Sequence, residues 1–218
     1  MMKKPYIFLL ASLILPALWL TGCSSTYYKT MESFGVEKRD ILVDRVEEAS
    51  EAQDEASEQF ADALEQFRSV VAFDGGDLEE VYDRLNTEYK KSQSEAEEVS
   101  DRINAVESVA EDLFAEWQKE LGEYTRADLR RNSESLLRDT RGRYKKMMKA
   151  MRRAETSMAP VLEAFQDQVL VLKHNLNAKA IGALGKELGS IERDTARLIS
   201  EMQKAIAEAD SFIESMSP

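Results

Sequence analysis

Residues 42–70 read LVDRVEEASEAQDEASEQFADALEQFRSV, and within them Leu42, Val46, Ala49, Gln53, Ala56, Phe60, Ala63, Phe67 and Val70 recur at alternating steps of four and three. Such steps keep returning to one side of an α-helix, so the stretch is a heptad seam that another helix must cover. Phenylalanine on one side of the repeat and alanine on the other predict close approach of that neighbour, the alanines leaving room for its larger side chains. Gln53, the one polar member, is either a buried specificity position or a site facing a gap.

Working outward, the predicted helix runs from about Thr30 to Ala72 and stops at Phe73-Asp74-Gly75-Gly76, where glycine takes positive φ without steric cost. Asp77 with Glu80 then forms a pattern akin to a capping box. A second seam follows through Leu78, Tyr82, Leu85, Tyr89, Ser92, Ala96, Val99, Ile103, Val106, Ala110, Leu113 and Trp117, ending at Gly122. Thr125-Arg126-Ala127-Asp128 repeats the capping pattern, and a third seam runs Ser133, Leu137, Thr140, Tyr144, Met147, Met151, Ala154, Met158, Val161, Phe165 and Leu172. Pro160 interrupts it off the seam, which predicts a kink, or a split that would leave a three-helix body. Lys173 to Asn177 reads as the last turn, with Asn177 as cap.

The fourth seam is Ile181, Leu184, Leu188, Ile191, Thr195, Leu198, Met202, Ala205, Ala209, Phe212 and Met216. Gly182, Gly185 and Gly189 lie beside it on one face, marking either close approach of another backbone or a weak helix start. Four helices of some forty residues joined by short turns predict an all-α fold, an elongated antiparallel four-helix bundle or coiled coil each of whose helices is about 60 Å long. Two open hairpins satisfy the same periodicity.

The N-terminus assigns the compartment. Lys3 and Lys4 precede an apolar run from Tyr6 to Leu20, too short to span a bilayer comfortably, and Leu20-Thr21-Gly22-Cys23 follows. This order resembles a bacterial lipobox, which implies acylation of the Cys23 thiol, palmitate-type chains included, and cleavage before it. The domain plan is therefore a lipoprotein signal peptide at 1–22, a lipidated N-terminus and short linker at 23–29, and a helical bundle domain at 30–218. The other readings are an ordinary secreted protein or an uncleaved anchor. Ser24, rather than aspartate, after Cys23 favours the outer membrane by resemblance to enterobacterial sorting rules. The expectation is a periplasm-facing cell-envelope lipoprotein.

The segment from Ser33 to Val43, the turn Val71 to Leu78, and the late stretch Phe165 to Val169 through Lys173-His174-Asn175-Leu176-Asn177-Ala178 together resemble the bacterial family catalogued as domain of unknown function 2959. The likeness covers essentially the whole mature chain. It implies a lipoprotein or secreted helical protein of Gram-negative bacteria and carries no family activity or catalytic residues.

Removing Lys3 and Lys4 with the leader leaves 27 basic and 41 acidic residues, a formal charge of −14, which excludes a generic nucleic-acid binder. The excess is uneven. Residues 30–72 carry 12 acids against 4 bases and residues 77–121 carry 14 against 5, but residues 126–153 carry 11 bases against Asp128, Glu134 and Asp139. Arg138, Arg141, Lys145, Lys149 and Arg152 recur at three- and four-residue spacing and so lie on one side of the third helix. Either they dock this helix between acidic neighbours and set the register, or they form a strip for phosphate or carboxylate groups of an envelope protein, a lipid or an anionic envelope polymer. Self-association is a further expectation for such seams.

Motifs for chemistry are few. Cys23 is the single cysteine, so no intrachain disulfide forms, and His174 is the single histidine. A dinuclear bundle site needs Glu-x-x-His pairs, yet Val171 stands three residues before His174, and no Cys/His metal cluster exists. Gly182 to Glu187 fails as a phosphate loop, since Glu187 follows Lys186 where serine or threonine is required. The expectation is a structural or protein-interaction module, no enzyme and no cofactor. The alternative is a periplasmic enzyme or accessory factor with a site near His174.

Overall fold

The computed structural model describes residues 38–71, 78–175 and 178–216, which form four α-helices and the α2–α3 turn: α1 (Lys38–Val71), α2 (Leu78–Glu120), α3 (Ala127–His174) and α4 (Ala178–Met216). The leader, Cys23, the linker, the first glycine turn with Asp77, the cap Asn177 and the side chain of Ile181 lie outside the described set. Every member of the first seam is buried, Leu42 through Val70. The remaining seams are buried or half-buried wherever they are described, because a strict 4-3 repeat keeps one side of each helix turned to the common axis.

Each helix packs against two neighbours, α1 on α2, α2 on α3, α3 on α4 and α4 on α1, so the ring is closed and the open-hairpin alternative falls. The directions alternate. Lys38 pairs with Glu116 at 2.5 Å and Gln59 donates to Glu88 at 2.9 Å across α1 and α2, early residues meeting late ones. Arg152 with Glu107, Lys146 with Glu208 and Arg68 with Glu192 repeat this on the other three faces. Inside, Phe67 and Phe165 stack at 4.6 Å between centroids, with Phe60 at 6.2 Å from Phe165, while Tyr144 meets Phe114 and Phe212 edge-on. Burying side chains of this size supplies the main drive for association of the helices.

Gln53 is fully buried, with neither its amide nitrogen nor its amide oxygen hydrogen-bonded. Ala49 and Ala56, one turn either way, and the adjacent Ala52 are all buried, so a polar group with unmet demand sits among small side chains in the α1 seam.

The structure bears on four local expectations. Pro160 does not divide the third helix, which runs unbroken from Ala127 to His174 and is the longest, at 48 residues. Pro160 and Thr156, whose carbonyl loses its partner to the proline, are both exposed, so the missing donor lies where solvent can reach. The start of α3 is not a capping box. Arg126 occupies the N-cap with φ −91° and ψ 118° and no side-chain cap, and its guanidinium instead pairs with Asp128 at 2.5 Å. That pairing, aided by backbone N–H groups of the first turn, holds the Asp128 carboxyl below its usual range. Asn175 caps the far end, its N–H bonding Leu172 O and its side-chain amide Val171 O. Among the described residues the glycine face of α4 meets no backbone. A Cβ at Gly182 would enter open space, one at Gly185 would touch only the Val71 side chain at 3.2 Å and one at Gly189 the Arg193 guanidinium at 3.7 Å.

The helices end at different levels. α4 stops at Met216, which borders the same notch as Trp117 and Thr140, and Lys38 sits beside Glu116. Past that level the α2–α3 hairpin continues, held by Trp117 Nε1 donating to Ser133 Oγ at 2.8 Å and closed by Leu121, Gly122 and Glu123 N–H groups bonding back onto α2.

Candidate functional site: the outward row of α3

The five basic residues expected to act together divide into two groups. At 100° per residue, Arg152 lies about 20° round the helix from Arg141, whereas Lys145, Arg138 and Lys149 lie about 40°, 60° and 80° round. Those tens of degrees separate a guanidinium tucked against α2 from an ammonium in solvent.

Arg141 and Arg152 belong to the α2–α3 seam. Arg141 lies over the Phe114 ring at 5.3 Å, donates to Phe114 O at 3.0 Å and reaches Gln118 Oε1 at 3.4 Å. Arg152 bonds Glu107 at 2.5 Å, Asn104 Oδ1 at 2.8 Å and Glu155 at 3.0 Å, and Glu155 also accepts from Ser100 of α2. Burial opposes the charge on Arg152, yet the bonds to Glu155 and Glu107 outweigh it and its pKa is raised. Tyr144, close by, is pushed up to about 12 by burial and by the charges of Glu107 and Glu111. Both arginines are thus held against α2, Arg152 through Glu107 and Arg141 through the Phe114 ring and carbonyl rather than through an acidic residue.

Arg138, Lys145 and Lys149 are exposed and make no ion pair or hydrogen bond among the described residues. Arg131 joins them, equally exposed and unpaired. It precedes Arg138 by seven residues as Arg138 precedes Lys145, so the four form a row opposite the buried seam, about 27 Å long. Sequence reasoning counted Arg131 without selecting it. The signal was there in its seven-residue offset, measured against the seam rather than against neighbouring cations. Of the flanking cations, Arg130 reaches Glu134 at 3.5 Å, Lys146 Glu208 at 2.8 Å and Arg153 Glu201 at 3.8 Å, while Arg143 is exposed and unpaired among the described residues. Lys204 holds the Glu201 carboxyl below its usual range from the α4 side.

His174 stands exposed in the last turn of α3, and no nucleophile or carboxylate among the described residues hydrogen-bonds it. Among the described residues no group of three or more histidine, cysteine, aspartate or glutamate side chains is arranged to hold a metal ion, and no helix is long and apolar enough to cross a membrane. Cys23 lies outside the described residues.

A closed, alternating bundle of four long helices with a polarised outer surface defines an all-α protein of the antiparallel four-helix-bundle class. Within that class the chain belongs to the family described as Protein of unknown function (DUF2959), whose model matches residues 27–216. A comparison with curated proteins gives no match.

Proposed function

We propose that this is a lipid-anchored cell-envelope protein, attached through acylated Cys23, facing the periplasm from the outer membrane, and acting as a structural or interaction module. Its partner is anionic, an acidic protein face or an anionic envelope polymer, and docks chiefly along Arg138, Lys145 and Lys149. The observation that carries this reading is the row itself: in a chain of formal charge −12, four cations in line stay unpaired while Arg130, Lys146 and Arg153 beside them find carboxylates. Exposed ammonium and guanidinium groups spaced along some 27 Å suit a partner with repeated carboxylates or phosphates, and attraction of this kind weakens with salt. The leader and Cys23 support the anchor.

The test replaces Arg138, Lys145 and Lys149 with glutamine. Because none of the three is paired, the melting temperature should stay unchanged, while salt-sensitive retention on anionic envelope polymer and crosslinked partners recovered from intact cells should fall together. A lowered melting temperature with undiminished binding would return the row to a purely structural role.

A further inference from the structure

Tyr124, Leu129 and Leu136, at 42%, 42% and 58% exposure, are three of the four large apolar side chains exposed among the described residues, and all three lie on the α2–α3 hairpin tip. The fourth, Leu170, is at the opposite end of α3. Leu129, Ser133, Leu136 and Thr140 share one side of α3, the side that faces partner helices farther along. At the tip α4 has ended, leaving Leu136 on a notch of about 390 Å³ walled by Leu113, Trp117 and Met216, with Arg39, Glu116 and Glu120 at its edge.

This is also the end at which α1 begins. Lys38 stands fifteen residues after Cys23, a stretch that spans at most about 50 Å when fully extended. The far end lies about 50 Å from Lys38 along α1, so the tether brings the tip to a bilayer far more readily than the opposite turns. Charge selects the same orientation. Residues 30–72 and 77–121 carry net charges of −8 and −9, which an anionic bilayer repels, whereas at the tip Lys119, Arg126, Arg130 and Arg131 balance Glu120, Glu123, Asp128 and Glu134.

We propose that the α2–α3 tip is a bilayer-docking surface, with Tyr124 and Leu129 entering the headgroup region, Leu136 backing them at the notch, and Arg131, unpaired at the same end, meeting lipid phosphates. The proposal rests on the lipid-anchored reading. Amphipathic aromatic and aliphatic side chains flanked by arginine suit that interface. The bundle then stands end-on. Lys145 and Lys149 lie about 27 and 33 Å from the start of α3, several Debye lengths from the lipid charge, and stay open to a partner.

The experiment uses the mature lipidated chain in vesicles of phosphatidylethanolamine and phosphatidylglycerol carrying brominated acyl chains. Cleavage of the leader removes Trp19, leaving Trp117 as the one tryptophan, so W117F combined with either Y124W or L170W places a single reporter at either end. Bromine should quench the Y124W chain and leave the L170W chain unquenched. Adding L129S to the Y124W chain should reduce quenching without lowering its melting temperature or releasing it from vesicles. Equal quenching at both ends, meaning side-on docking, overturns the proposal. So does an unquenched tip in a vesicle-bound chain, or a fall in melting temperature with L129S, which would mean the leucine packs against protein. The mass of the Cys23 peptide separates the two levels: acyl mass with an unquenched tip sinks the docking alone, and absence of acyl mass sinks the anchor and the docking together.

Discussion

Replacing Gln53 with methionine should stabilise the bundle. The glutamine amide is fully buried, and neither its nitrogen nor its oxygen has a hydrogen-bond partner. Leaving a buried polar group unsatisfied costs about 1–3 kcal/mol. Methionine has nearly the same length and shape, so it removes that penalty without opening a cavity, and its flexible thioether adapts to the alanines around it. A gain of about 1–3 kcal/mol raises the melting temperature by roughly 2–4 °C per kcal/mol in a domain of this size. The assay is thermal and urea unfolding of a chain beginning at Ser24, followed by circular dichroism, with size-exclusion chromatography of both forms. A single buried polar group in a seam also fixes register and oligomeric state. The methionine variant should therefore be more stable and less uniform in assembly. A loss of stability would refute the reasoning, because it would mean that hydrogen-bonded water already satisfies the amide and that the α1 seam is hydrated at this level.

Arg152→Gln should destabilise the protein by about 1 kcal/mol, more than a lone surface pair because Glu107, Glu155 and Asn104 lose their donor together, yet discounted because the side chain is still 35% exposed; urea unfolding reads this, and an unchanged midpoint would remove Arg152 from the register. Tyr144 is pushed up to about 12 against an ordinary 10.0, so the folded state holds its proton where the unfolded state releases it. The contribution of Tyr144 to stability should be level below pH 10 and fall as pH climbs to about 12, so the slope in that window should shrink in Tyr144→Phe; an identical slope in both would show that Tyr144 titrates normally. Cys23→Ser should release the chain into the soluble periplasmic fraction or leave the leader uncut, since several acyl chains hold far more tightly than one. A processed, membrane-bound serine variant would end the lipoprotein reading.

The helices and their inward faces were legible because burial in a bundle repeats with the chain's own period. Leu42 to Val70 is buried at every step, and even Gln53 was marked by its place in the seam. Caps were less legible. Thr125 to Asp128 has the residue types of a capping box, but Arg126 draws the Asp128 carboxylate to its guanidinium, and a charged pair outcompetes the weaker cap. The glycines of α4 carried an ambiguous signal, since glycine marks both a close approach and a weak start, and only the open space at Gly182 distinguishes them.

By itself, then, the sequence determined an all-α chain, four amphipathic helices, their seams and an acidic body interrupted by one basic helix, because each depends on spacing along a single helix. The tertiary structure alone decided that α4 closes on α1, that α3 passes Pro160 unbroken, and that Arg141 and Arg152 turn into the α2 interface while Arg131, Arg138, Lys145 and Lys149 face outward. A helix's period says which side is apolar and says nothing of what flanks that side. Across a few tens of degrees, the neighbour decides whether a cation is held in a network or left to meet a partner.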